Sequence, residues 1–439
     1  MNRLQSIWLE VNSSLWFVPS LMVLGSLLVA YGLVHLDQRI GSSWTSDHPL
    51  LFGAGADGAR GMLTAIASSM ITVAGLIFSL TLSTLAQVSS QYTSRLLRNF
   101  MRSRPNQVVM GSFVSIFAYC LVVLRTIRGT DQYTFVPSLA ISVALLLALV
   151  SIGMLIFFIH HIASSIQAAN VIAGAAEETL KTFDKLFPKE LGQAATPAEA
   201  ANLPPTAALR WQPVVATTTG YVQGVDEDDL LAFARETNAV VRMEHAIGSF
   251  VVQGAPLVSV AGYGPGELRL PASLTRRLNV CYTIARQRTI EQDAGFGLRQ
   301  LEDIALKALS PGINDTSTAV MCIDWLGALV AQLAQRDLGS PIRAEAGQVR
   351  VLAQRPDFAS YLRTAFDQVR TNAAADTAVY LRLLAALRIV ASSTQHPGYR
   401  ATLRQQADLA LATATKNLTA EHELSQVRQK YQELSELLG

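Results

Sequence analysis

Four long apolar stretches, at 15–36, 62–88, 108–127 and 136–160, dominate the first third of the chain, and polar segments separate them. Each is near or above the roughly 20 residues that an α-helix needs to cross about 30 Å of hydrocarbon. The pattern predicts four transmembrane helices. The first stretch is long and no small-residue cleavage site follows it, which argues against a removed signal peptide. Past the fourth span, "FIHHIASSIQAANVIAGAAEETLKTFDKLF" continues as a helix to about Phe187, and a segment rich in Ala, Pro and Glu (190–208) follows as a linker.

The pattern then changes period. "WQPVVATTTGYVQGV" and "AVVRMEHAIGSFVVQGAPLVSVAG" are short β-branched runs punctuated by Gly and Pro, which predict strands and turns. "DEDDLLAFARETN" between them reads as one short helix capped by Asp226. A small β-barrel or sandwich is expected over 209–270. From 271 the spacing is helical: Leu298, Leu301, Ile304, Ala305, Ala308 and Leu309 share one face, and Asp315 caps a following helix. Further helices near 357–371, 374–393 and 398–416 should form a bundle. The amphipathic tail after 420 could pack on that bundle or on a neighbouring subunit. The expected fold is therefore membrane α-helical plus an α+β cytoplasmic region. Its boundaries fall at 1–160 (four spans), 161–208 (helical extension and linker), 209–270 (β domain) and 271–439 (helical domain).

The second span is unusual. "SSMITVAGLIFSLTLSTLAQVSSQ" holds six serines, three threonines and two glutamines, and hydrocarbon offers such groups no partner. At about 100° per residue, Ser68, Ser69, Thr72, Ser79, Ser83, Gln87, Ser90 and Ser94 fall in one wedge roughly 100° wide, which only Leu76 interrupts. Either small hydroxyl residues form a packing seam between helices, or several subunits place this face around a shared axis and water satisfies it. In the second case Leu76 supplies a ring that gates by dewetting.

Charge sets the orientation. The second loop holds Arg95, Arg98, Arg102 and Arg104 with no acid. The first has Arg39 against Asp37, Asp47 and Asp57, and the third has Arg128 against Asp131. The second loop and both termini are then expected in the cytoplasm. Only 15% of the 439 residues are charged, well below the roughly 25% of a soluble domain. The net charge of +2 gives no reason to expect nucleic acid. The spans hold no acid, so arginines repeated around a pore mouth would attract anions and repel cations; the same arginines also serve as ordinary topology anchors.

Other chemistry is sparse. His160 and His161 are adjacent and point about 100° apart, so they do not chelate one metal. Arg286, Arg288, Glu291, Asp293, Arg299, Glu302, Asp303, Asn314 and Asp315 gather polar groups in 286–315. Their spacing matches no metal loop, and ion pairs and helix caps explain them better than a divalent cation site or an active site. There is no GxGxxG after a strand, no phosphate loop, no HExxH, no CxxC and no GxSxG. No enzyme, cofactor or metal is expected. "GSFVVQGAPLVSV" resembles the strand–turn–strand of biotinyl/lipoyl-type domains. No lysine occurs between Lys189 and Lys307, which leaves at most a likeness of fold. Cys120, Cys281 and Cys322 form no disulfide framework.

Two longer stretches, "FSLTLSTLAQVSSQYTSRLLRNFMRSRPNQ" (78–107) and "RTIEQDAGFGLRQLEDIALKALSPGINDTSTA" (288–319), together with "FIHHIASSIQ" (158–167), resemble a bacterial family of predicted membrane proteins of unknown function. That resemblance implies four N-terminal spans, a cytoplasmic C-terminal domain and the bacterial inner membrane, but no mechanism. The residues themselves lead to an expected oligomeric, anion-preferring channel lined by the second span, with membrane lipid, inorganic anions and other copies of the chain as partners. A non-conducting scaffold or receptor is the alternative.

Overall fold

The computed structural model describes residues 14, 16–40, 55–92, 103–130, 133–187, 209–262, 271–345 and 348–439. Two compact units divide at Gln167/Ala168.

The N-terminal unit contains α1 (Phe17–Ile40), α2 (Ala56–Gln91), α3 (Arg104–Thr126), a short hairpin of β1 (Arg128–Thr130) and β2 (Tyr133–Phe135), and α4 (Ser138–Ser165). α3 is central and packs against each of the other three helices. Its buried side chains follow helical spacing, with Phe113, Ile116, Tyr119 and Val123 meeting Leu63, Met70 and Ile77 of α2, Ala30 and Val34 of α1, and Ala144 of α4 in one core. Gly111 permits a close approach of α1 to α3: a Cβ there would lie 2.7 Å from Met22 Sδ and 3.0 Å from Pro19 Cα. The buried Tyr119 hydroxyl donates to Ala140 O at 2.8 Å. Contacts between residues far apart in sequence tie the helices together. Asp37 of α1 accepts from Leu139 N and Ala140 N at the start of α4, and Arg60 of α2 donates to Ile127 O.

The fourth span does not run on unbroken to Phe187. The helix stops at Ser165 and a new one, α5 (Ala168–Leu186), starts beyond Ile166 and Gln167. Near and distant contacts meet at the interruption. The Ser165 hydroxyl donates to His161 O, Gln167 N closes a tight turn onto Ser164 O, and Tyr92 occupies the Ile166 carbonyl from across the unit. The linker expected at 190–208 lies outside the described residues.

In the C-terminal unit, a five-stranded sheet has the order β3-β7-β5-β10-β9 and a three-stranded sheet the order β6-β4-β8. The strands are β3 (Gln212–Val215), β4 (Gly220–Val225), β5 (Ala239–Met243), β6 (Phe250–Val251), β7 (Pro256–Gly262), β8 (Tyr282–Ala285), β9 (Ile342–Glu345) and β10 (Gln348–Leu352). Val214, Val241, Val258 and Val351 of the larger sheet share one core with Val222, Val251 and Tyr282 of the smaller. α6 (Glu227–Glu236) adds Leu230 and Phe233 to it, and Asp226 caps this helix by accepting from Asp229 N. The β region does not end at 270, nor is the chain purely helical from 271. β8, β9 and β10 all come from later residues, and β10 pairs in parallel with β5, placing Val351 opposite Val241. A short helix, α7 (Ala272–Val280), precedes β8.

The remaining helices are α8 (Ala294–Ala308), α9 (Thr316–Ala334), α10 (Phe358–Asn372), α11 (Thr377–Ser392), α12 (Pro397–Asn417) and α13 (Glu421–Leu438). α5 joins them by packing on α8 and α9. Among the described residues five helices are long and apolar enough to cross a membrane: α1 to α4 and also α9. α9 packs against α5, α8, α10 and α11, and Leu326, Leu329, Val330 and Leu333 are fully buried there. The tail helix α13 packs on α11 and α12 of its own bundle through Leu424, Val427 and Leu434.

Candidate functional site

α2 has two contrasting faces. Ala59, Leu63, Ala67, Met70, Ala74, Ile77, Thr81, Thr84 and Val88 recur every three or four residues and are buried. Ser68, Ser69, Thr72, Leu76, Ser79, Ser83, Gln87 and Ser90 are all exposed, on a face about 150° around the helix from the first. Leu76, in the middle of this stripe, is 66% exposed. Among the described residues of the N-terminal unit, the stripe stays on an exposed face. Ser94, Arg95, Arg98 and Arg102 lie outside the described residues, and Arg104, on the first turn of α3, is exposed.

The outer faces of the neighbouring helices differ in kind. α4 exposes Leu145, Leu146, Leu149, Ile152, Ile156 and Ile159, and α1 exposes Leu21, Leu24 and Leu28, as contact with acyl chains requires. α2 exposes apolar Ile71, Phe78 and Leu82 only at the flanks of its hydroxyl-bearing stripe. Two stripe hydroxyls bond to their own helix, Thr72 to Ser68 O at 2.8 Å and Ser90 to Gln87 O at 2.9 Å. These back-bonds satisfy the donors while the amide of Gln87 remains on the outer face. At 36 residues and 1.5 Å per residue, α2 is about 54 Å long, more than one hydrocarbon thickness.

The 286–315 residues do not converge on one centre. The Arg288 guanidinium donates through Nε and Nη2 to Asp293 Oδ2 at 2.9 and 2.7 Å, and the other Asp293 oxygen caps α8 by accepting from Phe296 N. Burial raises Asp293 above the usual carboxylate range against the pull of Arg288. Asp315 caps α9 by accepting from Thr318 N at 3.0 Å and from the Thr318 hydroxyl, and these bonds hold its carboxyl below the usual range. Asn314 takes the left-handed φ of 51° that turns the chain between α8 and α9. Asp303 and Glu291 are half-buried. Glu302 of the same cluster is buried beneath Arg299 with a 2.5 Å contact, the buried ion pair that the sequence reading favoured over a metal site. His161 stacks on Phe157 and lies 3.3 Å from the Ser103 hydroxyl, an interfacial packing role.

Four packed apolar helices joined in one chain to an α+β unit define a polytopic helical membrane protein. The chain belongs to the family described as Predicted membrane protein (DUF2254), which matches residues 12–389. It is 33% identical over 434 residues to the uncharacterized protein Rv1290c of Mycobacterium tuberculosis (strain ATCC 25618 / H37Rv), covering 97% of this chain and 81% of that one. The same figures hold for the uncharacterized protein Mb1321c of Mycobacterium bovis. No solved structure matches.

Proposed function

We propose that the protein is the subunit of an oligomeric, anion-preferring channel of the bacterial inner membrane, with α2 lining the pore and both termini in the cytoplasm. The outward hydroxyl and amide stripe of α2 carries this reading. Lipid cannot satisfy it, no described helix of the N-terminal unit covers it, and the middle of the adjacent outer faces exposes leucine and isoleucine. A shared axis between copies brings the stripes together around water. Leu76 then forms the apolar constriction, while Arg95, Arg98, Arg102 and Arg104 favour anions at the inner mouth. In this reading the protein is not an enzyme.

The back-bonded hydroxyls of Thr72 and Ser90 favour a second reading, a non-conducting scaffold or receptor in which copies meet stripe to stripe through small residues. Recording from purified protein in a planar bilayer under a chloride gradient separates the two. A channel gives a current whose reversal potential tracks chloride, which Leu76→Ser enlarges and Arg98→Glu shifts toward cations. Folded, inserted protein that stays silent in all three forms, or that is monomeric in the bilayer, rules the channel out.

A further inference from the structure

Within the C-terminal unit a cavity of about 500 Å³ opens between the turn after β5, the start of α8 and the start of α10. It falls in the size range of small-molecule sites. Its described lining holds three guanidiniums, Arg288, Arg299 and Arg355, against one carboxylate, Asp293. The three arginine side chains are 29%, 30% and 22% exposed.

The acids that hold the guanidiniums are placed unevenly. Glu302 grips Arg299 and Glu227 grips Arg355, yet neither glutamate lines the cavity. Each of these contacts uses a single terminal nitrogen, Nη1 of Arg299 and Nη2 of Arg355, out of five N–H donors. The acids fix the forks from outside the lining, and the lining itself stays cationic. Such an arrangement is pre-organised for an anion that two or more guanidiniums engage together. Ser360 and Thr364 of the first turns of α10 bring hydroxyls to the wall, and Ile247, Ala353 and Pro356 bring apolar surface.

We infer that this cavity binds a small phosphorylated molecule, its phosphates held by Arg288, Arg299 and Arg355 and any organic part resting on Ile247, Ala353 and Pro356. A lone orthophosphate would fill only a small part of the volume, so two linked phosphates or a nucleotide fit better. The site stands independently of the channel reading, because binding is measured without current.

The test is isothermal titration calorimetry of the full chain in detergent with pyrophosphate and with ADP, followed by hydrogen exchange in the presence of the same probes. Saturable binding is expected, with slowed exchange confined to 246–247, 288–299 and 353–364. Arg355→Gln should weaken it at least tenfold, and Arg355→Lys less because lysine keeps the charge; the partner Glu227 is exposed, so either variant leaves no buried carboxylate unpaired. ADP binding well above pyrophosphate assigns the apolar wall to a nucleoside, whereas equal affinities assign the site to the phosphates alone; both support the site. Absence of saturable binding by either probe into the millimolar range overturns it, as does binding that Arg355→Gln leaves unchanged or protection that falls elsewhere.

Discussion

Asp37 caps a helix that begins 101 residues after it. Its two carboxylate oxygens accept from Leu139 N at 3.2 Å and Ala140 N at 3.1 Å, amides that α4 itself leaves without partners at its first turn. Asp37→Ala should lower stability by about 0.5–2 kcal/mol, the usual range for losing a cap. Asp37→Asn keeps one side-chain acceptor and should lose less. Unfolding midpoints of the purified variants in one detergent read both effects, and equal midpoints for Ala and native protein would contradict the capping role.

Gly297 seats α8 against α5. A Cβ at this position would stand 2.3 Å from Thr179 Oγ1 and 2.7 Å from its Cγ2, and both residues are buried. Gly297→Ala should therefore destabilise by about 1–3 kcal/mol, as overpacking does. Thr179→Ala removes both clashing atoms, so the double variant should recover part of the loss. A double-mutant cycle by chemical denaturation measures that coupling; strictly additive losses would mean that the two helices do not meet there.

Glu302 gives stability a pH dependence of known sign. Burial pushes its carboxyl up to about 7, although Arg299 pulls it down. The folded chain thus holds this proton more tightly than the unfolded one, in which a glutamate titrates near about 4.3. The group's favourable contribution is complete below that value and is lost as pH rises through about 7, at a slope of at most ~1.4 kcal/mol per unit. Glu302→Gln should flatten the fall over this window. Denaturation of both proteins at several pH values gives the difference directly, and parallel curves would show that the carboxyl titrates normally.

The outer face of α2 should react differently from the outer face of α4. Cys120, Cys281 and Cys322 are buried and give a low thiol background. With a pore, a charged, water-soluble thiol reagent modifies Ser79→Cys and Ser83→Cys in membranes but not Ile152→Cys. With a dry seam, Ser83→Cys resists the reagent and instead forms disulfides between copies. Mass spectrometry of the labelled chain distinguishes these results.

The membrane helices and the terminal bundle were legible because burial in them follows a local period. The four stretches became α1 to α4, and Asp226, Asp293 and Asp315 sit at helix starts where short side-chain acceptors belong. The polar stripe of α2 was equally readable, since position on a helix follows from sequence spacing alone. What escaped were relationships between distant residues. Nothing near Tyr92 says that its hydroxyl will occupy the Ile166 carbonyl and end α4. Nothing near Arg355 says that it will share a cavity with Arg288 and Arg299. The strands at 282–285 and 342–352 were missed because four or five residues between helices give too short a run to register a period of two, and their partners lie far back in the chain.

The parallel pairing of β10 with β5 also sets a timetable for synthesis. Val241 meets Val351 across 110 residues, and bacterial-scale elongation of about 5–20 residues per second separates their emergence by roughly 5–20 s. Throughout that interval β5 can pair with β7 on one side while its other edge has no native partner, a state prone to joining strands of other chains. A nascent chain halted anywhere between 262 and 342 would hold that edge open indefinitely, so the length at which translation stops should decide whether this unit ends up soluble or aggregated.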